Sequence, residues 1–225
     1  MIVSNMENLS DTYNKIEKLA PLEIEKRSFE IISKELESLN IILDPENESV
    51  IKRVIHTSAD FEYAHTLKFS YSAVKTASDL IKNGACIVTD TGMALAGINK
   101  RSLEKFGGKA FCFMADEDIA DKARALGVTR AYLSMKKASD IKGPVIFAIG
   151  NAPTALVSLY EMMRDGIYFP AFIIGVPVGF VNVEASKELI MNSDVPYIVN
   201  EGRKGGSNVA AAICNAILYS LDDER

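Results

Sequence analysis

Residues 145–166 read VIFAIGNAPTALVSLYEMMRDG, and this stretch determines the predicted fold. Its first six residues, 145–150, form an uninterrupted apolar run, which is typical of a strand buried on both faces of a parallel sheet. Pro153 then stands at the first position of a helical pattern that continues to Arg164. The stretch is therefore predicted to be one strand-to-helix unit of an α/β protein.

The same alternation continues on both sides of this unit. Further strands are predicted at residues 85–90, 110–114, 171–175 and 197–200. Helices are predicted between them, at about 116–126, at about 184–191 and from about Ser207 onward. This pattern predicts a single-domain, doubly wound α/β fold with a mainly parallel sheet and helices on both faces.

The chain before the first of these strands is predicted to be a polar segment followed by two helices. Residues 1–20 are expected to be poorly ordered, and residues 21–225 to form the α/β domain. Pro21 opens the first helix, whose apolar face is formed by Phe29, Ile32, Leu36 and Leu39. The second is expected to begin with Asp44 as N-cap and Pro45 at its first position, and to end near His56.

Composition excludes several classes of protein. The formal net charge of -5 gives no general attraction to nucleic acid or to anionic lipid. The N-terminus does not have the pattern of a signal peptide, and no apolar stretch approaches the ~20 residues that span a bilayer. The three cysteines are far apart, so we expect reduced thiols in a cytoplasmic protein, with no disulfide framework and no structural zinc.

The motifs of two common α/β enzyme classes are missing. Neither GxGxxG nor GxxxxGK[ST] occurs, and the run Gly92–Gly97 has the glycine spacing of a phosphate loop but is followed by Ile98 and Asn99. The GxSxG motif of serine hydrolases is also absent. We therefore predict no nucleotide cofactor and no resident metal, and a nucleotide-dependent enzyme is the weakest of the functions considered.

The segments that follow the strands mix glycine or proline with polar residues, and such segments meet at one edge of an α/β sheet. Among them, GRKGGS (202–207) precedes a helix. Its main-chain N–H groups and Arg203 could bind a carboxylate or phosphate, or the segment could be a glycine-rich turn with solvated basic residues. The residues alone leave both interpretations open.

His56 is one of only two histidines, and a lone histidine is more often structural than catalytic. His56 nevertheless follows an apolar helical stripe and precedes the polar run 57–60, which places it at the edge of a pocket. Arg53 lies three residues earlier, on a neighbouring helix position. A proton donor beside a cation suits an acidic substrate, although Arg53 could instead be a surface arginine paired with Glu48 or Glu62.

Six segments resemble the precorrin-8X methylmutase family. They are KRSFEII (26–32), RVIHTSADFEYA (53–64), AIGNAPTAL (148–156), EMMRDG (161–166), GVPVGFVNVEASKE (175–188) and GRKGGSNVAAA (202–212). The resemblance runs in collinear order from about Glu25 to the C-terminus. It implies a homodimeric isomerase that moves a methyl group from C-11 to C-12 of a corrin precursor in cobalamin biosynthesis.

The resemblance also implies roles for individual residues. A catalytic histidine of the family matches His56, and two substrate-binding residues match Ser28 and Arg53. Four residues of the segments after the strands are added as candidate substrate-binding residues: Thr91, Asn151, Arg203 and Ser207. For the apolar face of the ring we expect contacts from Val176, Val178 and Phe180.

An isomerisation needs no electron or group acceptor, in agreement with the missing cofactor motifs. An imidazole can set the protonation of the ring near neutral pH, and the rest of the site can act by positioning. A non-catalytic tetrapyrrole-binding or carrier protein that has kept the pocket is the alternative. The sequence leaves open whether the ring carries cobalt.

Overall fold

The computed structural model of the chain describes residues 13–222, and internal contacts divide the chain into two compact units, Met1–Asn40 and Ile41–Arg225. Residues 1–12, most of the segment predicted to be poorly ordered, lie outside the described residues. The predicted limits of the α/β domain, residues 21–225, stay a prediction.

The first unit contains the long helix α1 (Pro21–Ser38), which begins at the predicted residue. Pro21 stands in its first turn, where the missing N–H group costs no hydrogen bond. On the predicted apolar face Ile32 and Leu36 are buried, whereas Leu39 lies beyond the end of the helix and is exposed.

The described residues of the second unit form ten helices and a six-stranded sheet. In chain order the elements are α2 (Glu48–Ser58), α3 (Tyr63–Thr66), β1 (Leu67–Phe69), α4 (Ala73–Lys82), β2 (Cys86–Thr89), α5 (Gly92–Gly97), α6 (Lys100–Lys105), β3 (Ala110–Phe111), α7 (Glu117–Leu126), α8 (Arg130–Ala138), β4 (Val145–Ile149), α9 (Pro153–Arg164), β5 (Phe172–Gly175), α10 (Val183–Met191), β6 (Tyr197–Asn200) and α11 (Ser207–Ser220). All five predicted strands are present, and α9 has the predicted bounds.

The strands form one sheet in the order β1-β6-β5-β4-β2-β3. From β6 to β3 neighbouring strands run parallel, and Ile146 of β4 lies opposite Ile87 of β2 and Phe172 of β5. β1, at one edge, pairs antiparallel with β6. Every residue of β4 is buried, as its uninterrupted apolar sequence predicts.

Helices cover both faces of the sheet. α11 packs against β4 and β5 on one face and contacts α2, α4, α5 and α6. α9 packs against β4 on the other face, with α8 and α10 beside it. The predicted fold class, a doubly wound α/β fold with a mainly parallel sheet, is confirmed.

The strand order places a topological switch point between β2 and β4. From β2 the chain first moves outward to β3 and then crosses to the other side of β2, where β4 lies. Crevices of this kind, at the carboxyl ends of parallel strands, are where open α/β sheets bind ligands. The segments that begin at Asp90 and Gly150 therefore meet at this switch point.

The predicted start of α2 is wrong by three residues. The carboxylate of Asp44 accepts a hydrogen bond from the main-chain N–H of Glu46 at 3.1 Å and another from the side-chain amide of Asn47 at 2.8 Å. These bonds make Asp44 a turn residue instead of a helix cap, because the short aspartate side chain bonds its own main chain two residues on. The helix then begins at Glu48.

Two short strands at the edges of the sheet differ from the prediction. β3 is limited to Ala110–Phe111 and is only half-buried, so the predicted span 110–114 is too long. β1 was not predicted, because its three residues include Lys68 and carry too little apolar pattern to mark a strand. An edge strand has a partner on one side only, and its sequence is correspondingly less apolar than that of a central strand.

Candidate functional site

The last turns of α2 separate a buried stripe from an exposed end. The buried residues are the predicted ones, Val50, Ile51, Val54 and Ile55. His56 follows directly and is exposed, as is Thr57. Ala59 then ends the helix in the left-handed conformation, with φ 53°. His56 therefore lies in the last turn of a helix that is anchored by its opposite side.

His56 lines a cavity of about 340 Å³ between α2 and α11. The other lining residues are Arg53, Thr57, Gly97, Asn208, Ala211, Ala212, Asn215 and Tyr219. The wall formed by α11 is low, because two of its lining residues are alanines. A Cβ atom at Gly97 would lie 2.8 Å from Cβ of Ala211, so the end of α5 packs directly on α11. The side of the cavity formed by α5 and α11 is therefore lined partly by small side chains.

Arg53 lies one turn before His56 and lines the same cavity, as the spacing of three residues predicts. The guanidinium carbon of Arg53 lies 5.1 Å from the centroid of the Tyr219 ring, within the range of a cation–π contact. Glu48 and Glu62, the alternative partners that the sequence offered, each form an ion pair with a lysine. The arrangement places a cation and an imidazole on one wall.

Thr91 and Ser207, two of the candidate binding residues, contact each other. Their hydroxyl oxygens are 2.8 Å apart, and the Thr91 hydroxyl also accepts a hydrogen bond from the main-chain N–H of Ala94 at 3.0 Å. Thr91 is therefore the N-cap of α5 and ties this helix to the first residue of α11. A substrate-binding role for either hydroxyl stays a prediction.

The switch point between β2 and β4 is filled by Asp90. This fully buried carboxylate accepts hydrogen bonds from the main-chain N–H groups of Gly150, Asn151 and Ala152 at 2.9, 2.8 and 2.6 Å. Burial raises the pKa of Asp90 above its usual value, and the three N–H groups act in the opposite direction. The protein thus supplies its own anion to the N-terminal end of α9.

Asp90 is a residue whose importance the sequence did not reveal, because its partners lie about sixty residues later in the chain. Its position also limits the predicted role of Asn151. The main-chain N–H of Asn151 is bound to Asp90, while its side chain is exposed. The N–H of Asn151 is therefore not available to a ligand, and a contact from its exposed side-chain amide stays a prediction.

The segment 202–207 lies beside an exposed apolar group. The guanidinium of Arg203 donates a hydrogen bond to the Glu184 carboxylate at 3.1 Å and lies 5.7 Å from the centroid of the Phe180 ring. Phe180 is 82% exposed and Val178 46%. Val176, in contrast, is completely buried, so the expectation that it contacts a ring face is wrong.

Lys204 connects the same segment to the end of α2. Its ammonium donates hydrogen bonds to the carboxylates of Asp60 and Glu62, both at 2.6 Å. Hydrogen bonding from Lys204 lowers the pKa of Asp60, and the two carboxylates raise the pKa of Lys204. The basic residues of the segment thus have carboxylate partners inside the chain.

Ser28 lies on α1, in the first unit. Its hydroxyl donates a hydrogen bond to the main-chain carbonyl of Ile24, one turn earlier, at 2.9 Å, and the bond is exposed. This is the usual bond of a serine inside a helix. A role of Ser28 in substrate binding stays a prediction.

The described residues contain no group of three or more His, Cys, Asp or Glu side chains that could hold a metal ion. The run Gly92–Gly97, with the glycine spacing of a phosphate loop, is helix α5. Among the same residues, no helix combines the length and the apolar sequence that crossing a membrane requires.

Comparison with known proteins gives consistent results. The family model described as "Precorrin-8X methylmutase" (CbiC) matches residues 23–220. The cobalt-precorrin-8 methylmutase of Priestia megaterium is 42% identical over 202 residues, which are 90% of this chain and 89% of that protein. That of Salmonella typhimurium is 43% identical over 207 residues, 89% of this chain and 96% of that protein.

A less similar relative and a solved structure carry the same family name. The precorrin-8X methylmutase of Pseudomonas aeruginosa is 36% identical over 197 residues, covering 86% of this chain and 93% of that protein. A crystal structure of precorrin-8X methylmutase from Thermus thermophilus superposes with a TM-score of 0.78 and 36% identity. It covers 87% of this chain and 96% of that chain.

Proposed function

Because the chain belongs to the precorrin-8X methylmutase family, we propose that it moves a methyl group from C-11 to C-12 of a precorrin-8 ring. It is an isomerase of cobalamin biosynthesis, and the comparisons give no support to the alternative of a non-catalytic carrier. The product of the proposed step is hydrogenobyrinate or its cobalt counterpart, cobyrinate. The two relatives at 42% and 43% identity carry the cobalt-precorrin-8 name, which favours the cobalt-bound ring.

The observation that carries the proposed chemistry is the exposed imidazole of His56 at a cavity that it shares with Arg53. A methyl shift across a conjugated ring needs the reactive tautomer, and an imidazole can deliver or remove the proton that sets it. We therefore assign His56 the proton transfer to the ring.

Arg53 is assigned to binding. The substrate is a polycarboxylate, and a guanidinium can hold a carboxylate with two parallel hydrogen bonds. The contact with the Tyr219 ring limits the freedom of the Arg53 side chain before the ligand arrives, which reduces the entropy lost on binding. The small apolar side chains of Ala211 and Ala212 line the same cavity and suit contact with the apolar face of the ring.

The assignment is tested with His56→Ala, and the second histidine of the chain supplies the control. His65 is also exposed but does not line the cavity. His56→Ala should lower the single-turnover rate with saturating precorrin-8 by ~10²–10⁴-fold, the usual contribution of acid–base catalysis. His65→Ala should keep the wild-type rate. A His56→Ala rate near that of the wild type would remove the proton-transfer role from this residue.

Arg53→Ala separates binding from chemistry. A lost charge-assisted contact should raise the Kd of the product by roughly ten- to a hundredfold, equivalent to about 1.5–3 kcal/mol. The single-turnover rate at saturation should fall much less than in His56→Ala. Unchanged affinity would mean that Arg53 is a surface arginine that does not bind the substrate.

The enzyme is expected to be cytoplasmic. It is also expected to be a homodimer, and sedimentation equilibrium of the purified protein would test that oligomeric state. Activity should survive exhaustive chelation and need no added nucleotide. Parallel turnover of metal-free and cobalt-bound precorrin-8 would identify the natural substrate, and a higher kcat/KM for the metal-free ring would contradict the preference stated above.

A further inference from the structure

Lys187 of α10 is a completely buried lysine whose partners are main-chain carbonyl groups. Its ammonium donates hydrogen bonds to the carbonyl oxygens of Gly202 at 2.6 Å and Lys204 at 2.9 Å. Burial lowers the pKa of Lys187 to about 8, against a smaller opposite effect of the Glu184 carboxylate. Lysines are almost never fully buried without such partners, because an unpaired charge inside a protein is costly.

The partners of Lys187 belong to the β6–α11 loop, residues 201–206, in which four successive carbonyl groups all accept hydrogen bonds from within the chain. The donors are the side-chain amide of Asn200 to Glu201 at 3.0 Å, Lys187 to Gly202, the main-chain N–H of Gly179 to Arg203 at 3.2 Å, and both Lys187 and Asn200 to Lys204. The carbonyl groups of residues 201, 202 and 204 therefore face buried side chains, and that of Arg203 faces the half-buried Gly179.

These hydrogen-bonded carbonyl groups fix the direction of the N–H groups. In a planar trans peptide unit, the N–H of the next residue points opposite to the carbonyl. The N–H groups of Arg203, Lys204 and Gly205 consequently point away from the donors that bind those carbonyl groups, and none donates to an acceptor within the described residues. Successive N–H groups that point the same way form an anion-binding surface.

The loop is also held closely against the neighbouring strand end. Gly205 has φ 157°, and a Cβ atom there would lie 2.1 Å from the carbonyl oxygen of Val176. The main-chain N–H of Gly206 donates to that same oxygen at 2.9 Å. The loop therefore cannot turn over without losing both this contact and the bonds from Lys187.

The loop is connected at two points to the helices that form the cavity of His56. It leads directly into α11, whose second residue, Asn208, lines the cavity. The ammonium of Lys204 binds Asp60 and Glu62, which follow the helix that carries His56. A carboxylate held by the N–H groups of residues 203–205 would thus belong to a ligand in that cavity.

We propose that Lys187 is a positioning residue for substrate binding: it holds two carbonyl groups of the β6–α11 loop, so that the N–H groups of residues 203–205 bind a peripheral carboxylate of the corrin ring. This inference rests on the proposed function, which supplies the polycarboxylate ligand. Lys187 itself does not contact the ligand and acts through the loop.

The first test replaces Lys187 with a side chain of similar length that cannot donate. Lys187→Met should raise the Kd of hydrogenobyrinic acid and the KM of precorrin-8 about tenfold, which is the effect of losing one charge-assisted hydrogen bond between the loop and a ring carboxylate. The kcat should change less than threefold. Lys75→Met is the control, because Lys75 is an exposed lysine on α4 paired with Asp79. A corrin whose peripheral carboxylates are amides should show no difference between Lys187→Met and the wild type.

A second variant disturbs the same loop without touching the core. Gly202 has φ 75°, and nothing lies within 4 Å of an added Cβ, so Gly202→Ala introduces only main-chain strain at a carbonyl that Lys187 holds. Gly166 has φ 67° and equal space, and Gly166→Ala is the matched control in a loop after α9. Gly202→Ala should raise the Kd of the product at least threefold, and Gly166→Ala should not change it.

The outcomes distinguish the positioning role of Lys187 from the proposed methylmutase function. If the wild type binds and converts precorrin-8, equal KM and Kd values for Lys187→Met, Gly202→Ala and wild type overturn the positioning role alone. A loss confined to thermal stability, with unchanged affinity, overturns it as well. If Lys187→Met does not fold, the Gly202→Ala comparison decides. A wild type that neither binds nor converts the ring overturns the proposed function and this inference together.

Discussion

Two strand-to-helix loops at the same edge of the sheet bind buried charges of opposite sign. In the β4–α9 loop, residues 150–152, three successive N–H groups are bound to the buried carboxylate of Asp90. In the β6–α11 loop, residues 201–206, four carbonyl groups accept hydrogen bonds from within the chain, two of them from the buried ammonium of Lys187. The first loop contains an internal anion, whereas the second is supported by an internal cation.

The difference shows that a glycine-rich sequence before a helix does not by itself make an anion site. Both loops combine glycine with a following helix, and the helix dipole favours an anion in both. A buried charge from another part of the chain determines which side of the loop is satisfied internally. The N–H groups of the β4–α9 loop are already bound to Asp90, whereas those of residues 203–205 in the β6–α11 loop are kept for a ligand.

Asp90→Asn should have the largest effect on stability. The asparagine side chain has the same shape but carries no charge, and its NH₂ group would face N–H donors that need an acceptor. Removing one partner of a buried, charge-assisted network typically costs about 3–5 kcal/mol. The free energy of unfolding, measured by urea titration at pH 7, should fall by that amount.

The control for this variant is Asp79→Asn on the surface of α4, where an exposed pair with Lys75 contributes about 0–1 kcal/mol. Asp90→Ala extends the comparison, because it empties the place of the carboxylate. Added formate should raise the melting temperature of Asp90→Ala but not that of the wild type. Equal loss in the two asparagine variants would mean that the β4–α9 loop does not depend on its internal anion.

The sequence predicted the framework of this edge but not the charges inside it. β4, β6 and α9 follow from apolar runs and a proline, which are local signals, and the structure has them at or near the predicted residues. The shared cavity of Arg53 and His56 also follows from local spacing on one helix.

The partners of Asp90 and Lys187 could not be predicted in the same way. Asp90 binds residues sixty to sixty-two positions later, and Lys187 binds carbonyl groups fifteen and seventeen positions later across a strand. Nothing in a single sequence marks a carboxylate or an ammonium as buried. The burial of Val176 beside the exposed Val178 was missed for the same reason, since the close approach of Gly205 is a tertiary contact.

Lys187→Met should also change how stability depends on pH. The pKa of Lys187 is lowered from 10.5 to about 8 in the folded protein. Between these values the unfolded chain binds a proton that the folded chain has released, so this group makes stability rise with pH. Because the pKa is lowered by about 2.5, the free energy of unfolding should rise by about 3 kcal/mol between pH 8 and 10.5. That rise should be missing in Lys187→Met.

The measurement is the free energy of unfolding of both proteins from pH 7 to 10.5, taken as wild type minus variant. The subtraction removes the titration of the other lysines and tyrosines, which both proteins share. Below pH 8 the difference should be constant. Parallel curves over the whole range would show that Lys187 is not a desolvated cation. The β6–α11 loop would then not be supported by a buried positive charge.

Lys204→Met should have the smallest effect, because it removes a surface contact of the β6–α11 loop and leaves the buried one. Lys204 and its partners Asp60 and Glu62 are all partly exposed, at 44%, 30% and 55% of their side chains. Exposed ion pairs contribute about 0–1 kcal/mol, and salt weakens them. The stability difference from the wild type should therefore stay below about 1 kcal/mol at low ionic strength. It should shrink further in 0.5 M sodium chloride, where the screening length is about 4 Å. Urea titrations at both salt concentrations test this, with Lys187→Met beside them. If Lys204→Met lost as much stability as Lys187→Met, and lost it at high salt too, the loop would be held from its surface, and the buried ammonium would not be what distinguishes it from the β4–α9 loop.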